Sequence, residues 1–241
     1  MKRLVTLALG AMILSAATAG TANAQSALAV GNYSQDTPGN QPFVFTNSAG
    51  PVLTGVATNV PIAYTFGTNF LADPALANFV FDDAELDFNV TATTAAVVLG
   101  GGNNLQMTLN GSFLITATVG GSIGSINYNA GDTILSATFS SSTILAGAGV
   151  SLVSSATNST ITYSSPLFYD FTGLFGETLG LNLTSVNPGI TIGGGGLLNS
   201  FTGGNFTGSF SGNLVPEPAS LAMAGLGLLG VGLIARRRLV K

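Results

Sequence analysis

The sequence predicts an all-β fold, an antiparallel β-sandwich of the jelly-roll-like or Ig-like kind, and two observations support this prediction. Short alternating runs of apolar and polar residues, bounded by Gly, Asn and Pro, fill residues 25–214. The same region has no long stretch of helical periodicity, and it is rich in Thr and Phe, which suit half-buried strands. Because the chain has 241 residues and no internal repeat of solenoid length, we expect a single β domain.

Several runs within this domain are the main candidate strands. They are residues 43–45, 52–58, 62–66, 79–92, 105–119, 133–140, 159–163 and 179–184. One brief helix is expected after Asp73, because Asp is a favourable cap and Pro74 then occupies the first helical position.

Two glycine-containing segments carry more specific predictions. Asn110-Gly111-Ser112 is predicted to be a three-residue hairpin loop, since that length places Leu109 opposite Phe113 on one apolar face. Near residue 214 a loose repeat predicts either a final strand pair or a mobile stalk. Its members are Phe201-Thr202-Gly203, Phe206-Thr207-Gly208 and Phe210-Ser211-Gly212.

The residue types that the chain lacks exclude several classes of function. Without Cys it has no disulfide and no thiolate metal ligand, and without His it has no Ser-His-Asp relay. All six basic residues lie near the termini, so residues 25–214 carry nine acidic side chains and no basic one. This region therefore offers no cation for nucleic-acid phosphates, no Schiff-base lysine and no internal salt bridge.

Residues 1–24 are predicted to be a secretory signal peptide that forms a short helix. Lys2 and Arg3 precede the apolar run Leu4–Ala17, and Ala22-Asn23-Ala24 supplies small residues at the positions that signal peptidase inspects. The alternative is a retained membrane helix, but the run is short for a bilayer about 30 Å thick. We expect cleavage after Ala24, which leaves Gln25 as the first residue.

Residues 215–241 have three parts in a fixed order. The motif Pro216-Glu217-Pro218 breaks any preceding strand and leaves an extended segment that a protease can reach. The uncharged stretch Leu221–Ala235 is predicted to form a short apolar helix in lipid, and Arg236-Arg237-Arg238 holds its end on the cytoplasmic side.

This arrangement resembles the PEP-CTERM sorting signal of exported bacterial proteins, also named the ice-binding protein C-terminal segment. The resemblance covers residues 215–241 only, about a tenth of the chain. It implies recognition of Pro216-Glu217-Pro218 by a membrane enzyme, exosortase, followed by cleavage and delivery to the cell surface or an extracellular polysaccharide matrix. A plain C-terminal membrane anchor is the alternative. The resemblance implies a location and no chemistry, because the same tail follows diverse domains.

The only dense acidic cluster lies at residues 81–88, in a candidate strand. Asp83, Glu85 and Asp87 alternate with apolar residues, so we expect these three carboxylates on one face of the strand. The structural interpretation is a solvated strand face. The functional interpretation is a Ca²⁺ site, although neighbours on one face are about 7 Å apart and would need a bend or a loop donor to share an ion.

The sequence gives less support to three other hypotheses about the function of the domain. A glycoside hydrolase would need a carboxylate pair from Asp82, Asp83, Glu85 and Asp87, but the chain has no Trp for sugar stacking and no His. Ice binding would need a regular Thr array, and the Thr-x-Thr pairs are scattered, at residues 91/93, 116/118 and 160/162. N-glycosylation triplets begin at Asn32, Asn89, Asn110, Asn158, Asn182 and Asn205, although several lie in predicted strands.

These observations predict an exported, non-enzymatic protein of the cell envelope, cell surface or extracellular matrix. Its expected partners are signal peptidase, an exosortase-like enzyme, the membrane and an extracellular polysaccharide, and nucleic acid is not expected. No cofactor is expected apart from the calcium considered above. The role expected of the β domain is structural or adhesive, because uncharged hydroxyl and amide groups can hydrogen-bond polysaccharide.

Overall fold

The computed structural model describes residues 27–37, 39–48, 52–99, 104–146, 150–155 and 160–214, which are almost entirely β-structure. The strands are β1 (Leu28–Gln35), β2 (Phe43–Asn47), β3 (Leu53–Phe66), β4 (Val80–Ala92), β5 (Val97–Val98), β6 (Asn104–Ala117), β7 (Gly121–Ile123), β8 (Ile126–Tyr128), β9 (Thr133–Ala146), β10 (Val150–Ser155), β11 (Thr160–Ser164), β12 (Leu174–Asn187) and β13 (Phe201–Leu214). Two short 3₁₀ turns, Pro74–Leu76 and Gly194–Gly196, complete the described elements.

Eleven of the strands form one antiparallel sheet that returns to its own beginning. The ladders run from β9 through β10, β12, β13, β1, β3 and β4 to β6, and β6 pairs with β9 again. The short strand β2 lies between β13 and β3 beyond the end of β1. The polypeptide therefore wraps two opposing layers of strands around one enclosed core.

Alternation of apolar and polar residues places one face of each long strand in that core. In β4, Ala84, Leu86 and Phe88 are buried, whereas Asp83 is exposed and Glu85 is half-buried. Rings from strands that are distant in the sheet order meet across the core. Phe113 of β6 lies with its ring centroid 5.8 Å from that of Phe210 of β13. This opposed packing confirms the all-β sandwich prediction.

The predicted hairpin at residues 110–112 is wrong, because β6 continues without a turn from Asn104 to Ala117. Gly111 pairs with Val90 on one side and with Phe139 on the other. A Cβ atom there would lie 2.2 Å from the backbone oxygen of Asn89, so glycine serves close strand packing at this position. The ladder with β9 shifts register beside it, and Thr108 has a φ of 57°, which marks a bulge.

The other local predictions have different outcomes. The brief helix after Asp73 is confirmed as the 3₁₀ turn Pro74–Leu76, whose first turn is capped by the Asp73 side chain. The phenylalanine repeat forms neither a strand pair nor a stalk, because residues 201–214 are the single strand β13 in the middle of the sheet. The predicted helices within residues 1–24 and 215–241 lie outside the described residues.

Both ends of the domain leave the sheet at the same place, which we call the exit end. Leu28 pairs with Gly212, and Leu174 pairs with Leu214. The register of the other strands brings loops 67–79, 118–132 and 165–173 to the exit end as well. Loops 93–99 and 188–200 lie at the opposite end of the sheet.

Candidate functional site

A polar groove crosses the outer face of β12, β13, β1 and β3. Its volume is about 390 Å³. The hydroxyl and amide side chains that line it are Asn32, Ser34, Thr65, Asn182, Thr207 and Ser209. No charged side chain lines the groove, so it suits a neutral ligand that both donates and accepts hydrogen bonds.

Strand register brings these side chains together. One row runs across the strands from Thr65 through Asn32 and Ser209 to Gly180. Gly180 contributes no side chain to the outer face, and a Cβ atom added there would meet only Ser209 Oγ, at 3.8 Å. The missing side chain helps to form the concavity between the flanking polar residues.

A second row, two residues further along each strand, completes the groove. It joins Ala63, Ser34, Thr207 and Asn182 on neighbouring strands. Because successive residues of a strand face opposite sides, every residue between the two rows faces the core. Thus the strands that carry the polar lining have their opposite faces packed in the core, which fixes the backbone positions of the lining residues before a ligand arrives.

Tyr33 forms the buried layer directly beneath the groove. Its hydroxyl donates a hydrogen bond to the backbone oxygen of Gly180 at 3.1 Å. Gly208 allows this approach, since a Cβ atom there would lie 2.1 Å from Tyr33 Cζ. Burial, with added repulsion from the charged forms of Tyr163 and Tyr64, raises the pKa of Tyr33, which therefore stays neutral beneath the groove at physiological pH.

The acidic face of β4 has the orientation that the sequence predicts. Asp83 is exposed, and Glu85 and Asp87 are half-buried on the same outward face. Asp87 Oδ1 accepts a hydrogen bond from the backbone N–H of Asn59 at 2.7 Å, across a bulge in β3. Among the described residues, no group of three or more acidic side chains is placed to hold a metal ion. The calcium hypothesis therefore gains no geometric support.

The four acidic residues of β4 lie away from the three concavities described among the residues of the structure. Besides the groove, one concavity of about 450 Å³ includes Thr68, Phe70 and Asp170, and one of about 130 Å³ includes Gln35 and Pro61. Asp82, Asp83, Glu85 and Asp87 line none of these three. None of these three concavities therefore holds a facing pair of them, as a glycosidase would need.

Two other carboxylates organise loops at the exit end. Asp73 Oδ2 accepts hydrogen bonds from the Ser125 hydroxyl at 2.5 Å and from the Ser125 N–H at 2.7 Å, which together with the Ala75 N–H lower the pKa of Asp73. Asp170 accepts from the N–H of Thr172 at 2.9 Å, and its pKa is lowered by the side chain and backbone of that residue. Both carboxylates are structural groups that stay ionised.

The Thr pairs and the glycosylation triplets occupy the outer surface without forming one array. Thr91, Thr160 and Thr162 are exposed, but Thr91 lies opposite Asn110 on β6, whereas the other two pair with β9. The triplet positions within the described residues are exposed members of strands: Asn32, Asn89, Asn110, Asn182 and Asn205. Asn158 lies outside the described residues.

Sequence reasoning missed the groove. Its members are ordinary polar residues from four strands. The boundary of one of these strands is also predicted too late, since β12 begins at Leu174 and the predicted run is 179–184. Two signals do exist in the sequence, namely the polar residues Asn32 and Ser34 on either side of Tyr33 and the side-chain gap at Gly180. Neither signal locates a groove unless the partners of each strand are known.

The sorting signals predicted from the sequence lie outside the described residues. They are the signal-cleavage residues Ala22 and Ala24, the motif Pro216-Glu217-Pro218 and the membrane stop Arg236-Arg237-Arg238. Within the part of the chain that the structure describes, no helix has the length and apolar character needed to span a membrane.

Comparison with known proteins bears on the C-terminal segment. Residues 214–238 match the family model of the PEP-CTERM protein-sorting motif, at the place where the sequence predicts it. Neither the curated proteins nor the solved structures gave a match to the chain. The motif implies processing by an exosortase-like enzyme, and the chain is accordingly an exported protein of the cell envelope or surface that carries a PEP-CTERM sorting motif.

Proposed function

We propose that the β domain is a non-enzymatic structural or adhesive module that binds neutral polysaccharide outside the cell. The observation that carries this proposal is the uncharged groove of about 390 Å³ across β12, β13, β1 and β3. Its amides and hydroxyls match the mixed donors and acceptors of sugar hydroxyl groups. The lining lies on a fixed sheet, so binding orders few protein groups.

The electrostatics of the domain support a neutral ligand over an ionic one. Residues 25–214 carry nine acidic side chains and no basic side chain, which disfavours anionic polymers. The groove itself has no carboxylate, so a neutral sugar chain meets no buried unpaired charge there. The proposed ligand class is therefore uncharged polysaccharide of the extracellular matrix.

In this proposal, the C-terminal segment determines where the module is delivered. We propose that Leu221–Ala235 holds the exported chain in the membrane until the sorting enzyme cuts near Pro216-Glu217-Pro218. The family match at residues 214–238 supports this sequence of events. The released domain then joins the matrix that it binds.

The double variant Thr207→Ala/Ser209→Ala tests the groove. Each lost hydroxyl removes a hydrogen bond worth about 0.5–1.5 kcal/mol, so affinity for polysaccharide from the native cells should fall about 5- to 150-fold. Binding isotherms of the secreted protein on that polysaccharide measure the change.

The matched control is Thr138→Ala/Thr162→Ala, a pair of exposed cross-strand neighbours on β9 and β11. This control should bind as the unaltered protein does. Equal losses in the two double variants, or no loss in the groove variant, would contradict the proposed site. Unchanged thermal unfolding of both variants verifies that each one is folded.

A further inference from the structure

The exit end exposes apolar side chains that the core does not use. Their exposed fractions are 39% for Phe79, 47% for Val80, 43% for Val119, 36% for Leu167 and 40% for Phe175. They come from separate segments. Phe79 ends loop 67–79 and Val80 begins β4, Val119 follows β6, Leu167 lies in loop 165–173 and Phe175 lies in β12. The fold thus collects exposed apolar groups from four segments at one end.

The chain leaves the sheet at this same end. Phe175 pairs with Asn213, one residue before β13 ends at Leu214. Only residues 215–220 separate that point from the apolar stretch Leu221–Ala235. Six residues span at most about 20 Å when fully extended. As long as the stretch lies in a membrane, the exit end must stay within that distance of the bilayer.

Charge at the exit end indicates the kind of lipid surface that fits. Carboxylates accompany the apolar groups there, in the loops and at the adjoining strand ends: Asp73, Asp82, Asp83, Asp132, Asp170 and Glu177. These groups repel anionic headgroups and attract the ammonium groups of zwitterionic lipids.

We infer that the exit end is a membrane-docking surface, which rests on zwitterionic, amine-bearing lipid while the C-terminal stretch is inserted. This inference rests on the anchored state in the proposed function. Phe79, Leu167 and Phe175 enter the headgroup region, and the carboxylates around them meet lipid ammonium groups. The polysaccharide groove then faces sideways, and loops 93–99 and 188–200 project away from the membrane.

The chain contains no tryptophan, so a single introduced Trp reports on one position. The full-length protein is reconstituted into vesicles of phosphatidylethanolamine and phosphatidylcholine, with or without a phosphatidylcholine whose headgroup carries a nitroxide that quenches nearby Trp. The variants are Phe79→Trp and Phe175→Trp. Since Trp favours the headgroup level, we expect the nitroxide lipid to reduce the emission of both variants by about half.

The matched control is Val98→Trp at the opposite end. Val98 is 68% exposed, so apolar exposure alone predicts contact there as well. The strands β4 and β6, which run between the two ends, have 13 and 14 residues and extend about 40 Å. We expect no quenching of Val98→Trp. Circular dichroism checks that all three variants keep the β fold.

The outcomes separate this inference from the anchoring on which it rests. If the protein fails to sediment with vesicles, the anchored state is wrong, and the docking surface is rejected with it. If it sediments but Phe79→Trp and Phe175→Trp are quenched no more than Val98→Trp, the docking surface alone is rejected. Replacing half of the lipid by phosphatidylglycerol should weaken the quenching, and a gain would reject the ammonium contacts.

Discussion

Phe113 shows how one side chain links both layers of the core. Its ring lies 5.0 Å from that of Phe88, 5.8 Å from that of Phe139, 5.8 Å from that of Phe210 and 6.0 Å from that of Tyr33, measured between centroids. Tilted and edge-to-face pairs of this kind add about 0.5–1.5 kcal/mol each beyond the area that they bury. A single residue thereby couples β6 to strands on the far side of the circuit.

The substitution Phe113→Ala should lower the free energy of unfolding by about 3–5 kcal/mol, because it leaves a cavity among four rings. Urea unfolding followed by circular dichroism measures the loss. The control Phe175→Ala, at an exposed phenylalanine, should change stability by no more than about 0.5 kcal/mol. Similar effects at the two positions would argue against Phe113 as a central packing residue.

At the scale of the element, the alternation of apolar and polar residues explains where sequence reasoning succeeded, and one glycine explains where it failed. Alternation located most strands and gave the outward face of β4, because burial on one side requires a period of two. It failed at Gly111, where Asn-Gly is typical of a hairpin turn but the structure uses the glycine for close packing against β4. The two uses look alike in sequence, and only the identity of the neighbouring strands distinguishes them.

The substitution Gly111→Ala should destabilise the domain by about 1–3 kcal/mol, because its Cβ atom would lie 2.2 Å from the backbone oxygen of Asn89. Thermal or urea unfolding provides the measurement. Gly189→Ala is the matched control, since a Cβ atom there has no other heavy atom within 4 Å. We expect the control to leave stability unchanged or to raise it by up to about 1 kcal/mol. A Gly111→Ala variant as stable as the unaltered protein would contradict the close packing of Gly111 against β4.

At the scale of the whole molecule, the lack of basic side chains between residues 25 and 214 determines which groups titrate. Between residues 25 and 214 there is no His, Cys, Lys or Arg, so tyrosines are the side chains that titrate above neutral pH. Burial raises the pKa of Tyr33, Tyr64, Tyr163 and Tyr169, and a hydrogen bond of 2.7 Å joins the hydroxyls of Tyr64 and Tyr169. The folded domain therefore holds these phenolic protons more tightly than the unfolded chain does.

Stability should be nearly constant between pH 7 and pH 9 and should fall above about pH 10, the ordinary pKa of tyrosine. The unfolded chain loses its phenolic protons at a lower pH than the folded domain does. Above pH 10 each such tyrosine therefore lowers the free energy of unfolding by about 1.4 kcal/mol per pH unit. Urea midpoints across this range measure the effect. In Tyr33→Phe the free energy of unfolding should decrease less steeply with pH above pH 10, because one phenolic group that titrates in the unfolded chain is missing. A marked slope below pH 9 would contradict this account.

The sequence by itself determined the all-β class, the outward acidic face of β4, the export route and the classes of chemistry that are excluded. These properties follow from local periodicity, from composition and from short contiguous motifs, each readable without knowing which strands are neighbours. Only the tertiary structure decided the closed circuit of ladders, the continuous β6, the groove and the exit end. Each of these depends on the register between strands far apart in the chain, and register is set by how all the apolar faces pack together.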